Sequence, residues 1–237
     1  MTASPLAQGI AERLERLQEQ IASVAMRCGR RPEEITLVGI SKTQPAEAAI
    51  EALRAGLQHI GENRVQEAAA KIPSVRQATQ GQAQTWHLVG HLQTNKAGAA
   101  TGLFDRIDSV DSLKLAQALS RRLNGAAELP ILVEVYTGDD PGRPGVRPDG
   151  LEELVGQISE LPNLSVCGLM TVAPLGGNAR QCFRTVRALR DSIAQKFPRV
   201  HFGVLSMGMS EDFSEAIEEG STEVRIGTAL FGPRQPR

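Results

Sequence analysis

Eight short apolar runs rich in β-branched residues alternate strictly with longer segments of helical period, and this alternation limits the fold more than any other feature of the chain. The runs are ITLVGIS (35–41), LQHIGE (57–62), TWHLVGH (85–91), RIDSV (106–110), ILVEVY (131–136), SVCGLMTV (165–172), HFGVLSM (201–207) and EVRIGTAL (223–230). Between them, apolar residues recur at helical steps: Ala46, Ile50, Leu53 and Leu57 after Pro45, then Leu113, Ala116, Leu119 and Leu123, then Phe183, Val186, Leu189 and Ile193. Every run but the last has a helix candidate behind it. This is the βαβα pattern of a parallel sheet. Eight repeats over about 200 residues predict an α/β fold, a single (β/α)8 TIM-type barrel, with an open doubly wound sheet as the alternative. Ahead of it, Leu6, Ile10, Leu14, Leu17, Ile21, Val24 and Cys28 draw one apolar stripe over 4–28, which predicts an added N-terminal helix. Residues 1–237 are expected to form one domain. The stretch TGDDPGRPGVRPDG (137–150) is the most irregular, and its Gly, Pro and Asp content marks turns.

The charge balance narrows the class of partner. The chain holds 26 basic and 27 acidic residues mixed along its length, for a net charge of −1, so no electrostatic footprint suits nucleic acid or an anionic membrane. Aromatics are 3% of the residues, too few to stack a run of bases. A small molecule is the expected partner. Cys28, Cys167 and Cys182 form no CxxC pair and read as reduced core thiols. Charged residues interrupt the apolar N-terminal stripe and no apolar run approaches membrane-span length, so a soluble, cytoplasmic protein is expected.

Lys42 directly follows the first run, in GISKTQP (39–45). In a (β/α)8 barrel the C-terminal strand ends carry the chemistry. A partly desolvated amine on a rigid strand loses some preference for its ammonium form and becomes a better nucleophile toward an aldehyde, so Lys42 suits Schiff-base formation. Taken alone, a Lys at a strand end reads more readily as a side chain pointing to solvent.

The other end of the chain changes that balance. LSMGMSEDF (205–213) follows the seventh run and RIGTALFG (225–232) lies in the eighth, where phosphate sites of this fold recur. Gly208 lets backbone approach an anion; Ser206 and Ser210 offer hydroxyls; a helix beginning near Ser210 would present unpaired N–H groups. Ser210 reads equally well as the cap of that helix. Gly227 and Thr228 supply a second set of donors. Closure of the barrel would set Lys42 beside Arg225–Thr228, with Arg225 and Gly227 on one face. Arg is a recognised partner of the pyridine nitrogen of pyridoxal 5′-phosphate (PLP). A guanidinium does not give up its proton, so the ring nitrogen facing it stays unprotonated and the ring is a weak electron sink. The alternative for Arg225 is an ion pair with Glu62 or Glu134 inside the barrel.

GISKTQP, HIGENRVQEAAAK (59–71), WHLVGHLQTNKA (86–97), IDSVDS (107–112), GLMTVAP (168–174), LSMGMSEDFSEAI (205–217) and EVRIGTALFG (223–232) together resemble the pyridoxal phosphate homeostasis proteins, whose barrel is similar to the N-terminal domain of alanine racemase. The resemblance covers nearly the whole chain. It implies a vitamin B6 protein with Lys42 as the PLP lysine, Arg225 near the ring nitrogen, Asn63 close to the ring, and Ser206, Ser210, Gly227 and Thr228 around the phosphate. It also implies a role in PLP supply, buffering or delivering the cofactor to PLP-requiring apo-enzymes, in place of a defined turnover. Many members of the family carry a Lys after strand five, where this chain has GRPG with Arg143, which cannot form a Schiff base.

The rival reading is a weak PLP-dependent amino-acid racemase. Two-base racemization needs an acid/base on each face of the substrate, and the chain has one Tyr, Tyr136, on the expected barrel rim. A third reading is an interaction module gated by PLP occupancy. The four histidines lack metal-site spacing, and His91 could line the pocket mouth. A monomer is the simpler expectation.

Overall fold

A computed structural model of the chain describes residues 5–123, 125, 128–174 and 176–233. Helix α1 (Pro5–Arg27) comes first. Then strand and helix alternate: β1 (Thr36–Ile40), α2 (Ala46–Arg54), β2 (His59–Glu62), α3 (Val65–Ala78), β3 (Thr85–Leu88), α4 (Ala97–Thr101), β4 (Arg106–Val110), α5 (Leu113–Ser120), β5 (Leu129–Glu134), α6 (Leu151–Ser159), β6 (Leu164–Met170), α7 (Ala179–Lys196), β7 (Val204–Ser206), α8 (Phe213–Glu218), β8 (Glu223–Ile226) and α9 (Thr228–Phe231). All eight strands pair in parallel and in sequence order, and β8 returns to β1 to close the barrel. The closed α/β barrel anticipated from the sequence is the fold, and the open sheet is not.

Two core layers follow from the period of two along each strand. A Cβ built on Gly39 would strike Leu57, Leu230 and Phe231, so that face of β1 looks outward to the helices. One built on Gly61 of β2 would strike Ile40 and Val38, so these look into the barrel. The outer layer is the larger: Ile60, Trp86, Ile107, Ile131 and Val224 from the strands pack against Leu53, Ile72, Leu119, Ile158 and Phe183 from the helices. Helix α1 lays Ile10, Leu14, Leu17, Ile21 and Val24 onto α2, α8 and α9, and Arg13 Nε donates to Leu230 O at 2.6 Å. Cys28, expected in the core, is exposed beyond the last turn of that helix.

Several strands stop short of the runs that announced them. β8 ends at Ile226, because Gly227 (φ −105, ψ −86) leaves the extended conformation and the TALF segment turns into α9. The last strand therefore does have a helix behind it. β3 ends at Leu88, so His91 lies in the following loop, exposed, with Nδ1 3.3 Å from Asp111. The helix expected near Ser210 begins at Phe213. Asp212 accepts the Met209 N–H and occupies the capping position, so Ser210 is not the cap.

The N-terminal half of the barrel interior is polar. Arg106 donates to both oxygens of Asp108 (2.6 and 2.9 Å) and of Glu223 (2.7 and 2.6 Å), while His87 stands 3.0 Å from His59 and 3.4 Å from Asp108. Burial works against every charge here. The two carboxylates outweigh it and raise the Arg106 pKa, and Arg106 with His87 likewise lowers that of Asp108. Ligand atoms of His87, Asp108 and Glu223 lie within 4.8 Å of one another, a metal-like grouping, but the Arg106 guanidinium already supplies the positive charge between the carboxylates.

Candidate cofactor site

Closure between β1 and β8 brings the first and last strands together. Val38 and Gly39 stand in register with Arg225 and Ile226, so the residues that follow each strand meet at one rim. A cleft of about 270 Å³ opens there, lined by Ile40, Lys42, Met209, Ser210, Glu211, Asp212, Arg225, Gly227 and Thr228. Five of the seven residues singled out in the sequence line this one cleft: Lys42, Ser210, Arg225, Gly227 and Thr228.

The remaining two lie nearby in different roles. Ser206 is fully buried on β7 and accepts a hydrogen bond from Arg225 Nη1 at 2.8 Å. Asn63 follows β2 and packs against Gly90, where a Cβ would come within 2.3 Å of the Asn63 carbonyl oxygen. It is half-buried and does not line the cleft.

Arg225 is almost wholly buried, which lowers its pKa, and its second bond runs from Nη2 to Thr171 O at 2.7 Å. Among the described residues it forms no ion pair with Glu62 or Glu134. Glu62 faces outward from β2 toward Lys71 of α3, 2.5 Å away. A guanidinium carries five N–H donors, so three remain to meet a ligand. Glu134 ends β5, and its buried Oε2 has no hydrogen-bond partner among the described residues. Burial and the Asp111 carboxylate push its pKa up to about 7, against the pull of Arg225 and Arg143. Arg143 itself is exposed in the loop after β5.

The donor set suits PLP. Lys42 supplies an amine, Arg225 a fixed cation, and Ser210 and Thr228 hydroxyls; the opening N–H groups of α9 have no partner within that helix. Among the described residues, none that lines the cleft is a second Lys, His or Tyr. Tyr136 lines a different cavity with Thr137, Pro174 and Asn178, packed against Gly138 and Gly145 beneath Arg147.

Sequence reasoning missed two polar groups: the barrel-floor network and the cluster of Glu62, Glu67 and Lys71 behind Lys42. The periodicity of β2 held a signal for the second, since Glu62 shares its face with the core residue Ile60 and therefore points away from the barrel interior.

Comparison with known proteins agrees with this geometry. The family model for the alanine racemase N-terminal domain matches residues 13–235. A pyridoxal phosphate homeostasis protein of Aquifex aeolicus is 42% identical over 229 residues, covering 94% of this chain and 98% of its own. That of Escherichia coli K12 is 40% identical over 232 residues, covering 95% and 97%. The structure of PipY from Synechococcus elongatus PCC7942 with PLP bound superposes with a TM-score of 0.83 at 39% identity, covering 94% of this chain and all of that one. The chain belongs to the pyridoxal phosphate homeostasis protein family, built on the alanine racemase N-terminal domain.

Proposed function

We propose that this protein binds PLP for intracellular homeostasis of the cofactor, holding it as a Schiff base on Lys42 and releasing it to apo-enzymes that need it. The observation that carries the reading is the single cleft in which Lys42, Arg225, Ser210, Gly227 and Thr228 converge where β1 meets β8. PLP supplies an aldehyde that condenses with an amine and a ring that accepts electrons. Lys42 anchors the aldehyde. Arg225, fixed by Ser206 and Thr171, would hold the ring nitrogen and keep it unprotonated, and Ser210, Gly227 and Thr228 would hold the phosphate. Asn63, which follows β2 outside the lining of the cleft, takes its place near the ring from the family resemblance alone.

This arrangement favours holding over turnover. Racemization needs a second acid/base opposite Lys42, and Tyr136 lines a separate cavity. We take residues 1–237 as one cytoplasmic, monomeric PLP-binding unit. Incubating the holo-protein with single amino-acid enantiomers tests the choice: no inversion is expected, together with recovery of activity by a PLP-requiring apo-enzyme. Steady inversion would assign the protein to the racemases.

A further inference from the structure

Lys42 sits in a turn whose backbone is held from behind by a buried ionic cluster. On its N-terminal side, Ser41 is fully buried: its N–H donates to Gly61 O at 3.0 Å, and its Oγ donates to Glu62 Oε1 at 2.6 Å. Its carbonyl accepts from Lys71 Nζ at 2.7 Å and from the Gln44 N–H at 3.0 Å. On the C-terminal side, the Thr43 N–H donates to Glu67 Oε1 at 2.5 Å. One ammonium joins the two halves, because Lys71 Nζ also donates to Glu62 Oε1 at 2.5 Å and Glu67 Oε1 at 3.2 Å. Both peptide planes flanking the Lys42 Cα are thus tied to a single charge from α3.

Two further features set this cluster apart from an ordinary surface ion pair. Thr43 has φ +62, a left-handed conformation that a β-branched residue adopts only when its surroundings enforce it. Lys71 is only 6% exposed although it lies on a helix, and Glu62 is fully buried with Oε2 unpartnered. Burying such charges is weak support for stability, since desolvation offsets most of their attraction.

We propose that Lys71, Glu62 and Glu67 are positioning residues for Lys42: by fixing the peptides on both sides of it, they deliver its amine to one place in the cleft and restrain its movement away from bound PLP. This rests on Lys42 being the PLP lysine. None of the three is among the described residues that line the cleft, and they act only through the 41–43 backbone.

The test uses Glu67, because its side chain is partly exposed and its loss leaves the Lys71–Glu62 pair in place. Glu67→Ala removes the acceptor of the Thr43 N–H, whereas Glu67→Gln keeps an acceptor there. In the full-length apo-protein, amide hydrogen exchange at Thr43 is expected to accelerate about tenfold in the Ala variant, the weight of one charge-assisted hydrogen bond, and to stay within about twofold in the Gln variant. After loading with PLP, the visible Schiff-base absorbance should be lost to a competing amine faster by a similar factor in Glu67→Ala and recover toward the native rate in Glu67→Gln. Unchanged exchange at Thr43 together with an unchanged rate of loss would overturn the proposal, and so would a Gln variant that behaves like Ala. Lys42→Ala separates the two claims: if it keeps the absorbance, the assignment of Lys42 fails, while exchange at Thr43 still judges the clamp.

Discussion

Arg225 Nη1 donates to Ser206 Oγ at 2.8 Å across the β7–β8 seam, and this bond, with the one to Thr171 O, fixes a buried guanidinium at the base of the cofactor cleft. Under the proposed function, Ser206 acts on the cofactor through Arg225. Ser206→Ala would leave a charged donor without its acceptor, at a cost of about 1–3 kcal/mol. Urea unfolding should show that loss, and a PLP titration should show affinity falling about tenfold while the Schiff-base absorbance still forms at saturation.

Glu134 makes stability depend on pH in an identifiable direction. Its folded pKa is raised to about 7 by burial and by Asp111, above the ordinary value of 4.5. The folded state thus holds a proton that the unfolded state releases. Its contribution is fully present below pH 4.5 and is lost as the pH rises through 7. Glu134→Gln, which stays neutral, should raise the unfolding midpoint at pH 8 by an amount corresponding to at most about 3 kcal/mol, with little effect at pH 4.5. Thermal melts at the two pH values measure the difference.

The barrel floor is expected to respond strongly to loss of its cation. Arg106→Met leaves Asp108 and Glu223 buried without their shared partner, a change of about 3–5 kcal/mol toward unfolding. Acid should relieve part of the penalty, because protonated carboxyls no longer need the guanidinium. Urea titrations of the variant at neutral and acidic pH should bracket this effect.

Gly90 holds Asn63 in place by having no side chain. A Cβ there would lie 2.3 Å from the Asn63 carbonyl oxygen and 2.8 Å from its Cα, both backbone atoms that cannot swing aside. Gly90→Ala is expected to displace the segment after β2, destabilising the protein by about 1–3 kcal/mol and weakening PLP binding. Denaturation and PLP titration of the one variant check both outcomes.

The barrel was legible because its cause is local: β-branched runs form strands, apolar stripes form helices, and eight alternations close. The ends of the elements were less so. TALF (228–231) reads as strand by composition, yet the dihedrals of Gly227 end β8 and start α9. Ser210 reads as a cap, but Asp212 lies closer to the true helix start and takes the Met209 N–H. Barrel closure predicts that Lys42 meets Arg225, Gly227 and Thr228, while Ser210 was legible from the phosphate site that recurs after the seventh strand. The partners of these residues were hidden for the opposite reason. Arg106, Asp108 and Glu223 are isolated polar letters in two strands that are not neighbours, and Lys71 reads as a solvated helix residue until the fold sets it behind Ser41.

The proposed function stands on Lys42 as the residue that carries PLP. Reducing the PLP-loaded protein with borohydride and locating the modified peptide by mass spectrometry measures this directly. The predicted result is one pyridoxyl adduct, on Lys42, absent from Lys42→Ala; an adduct on another lysine, or persistence of the adduct in the variant, would contradict it.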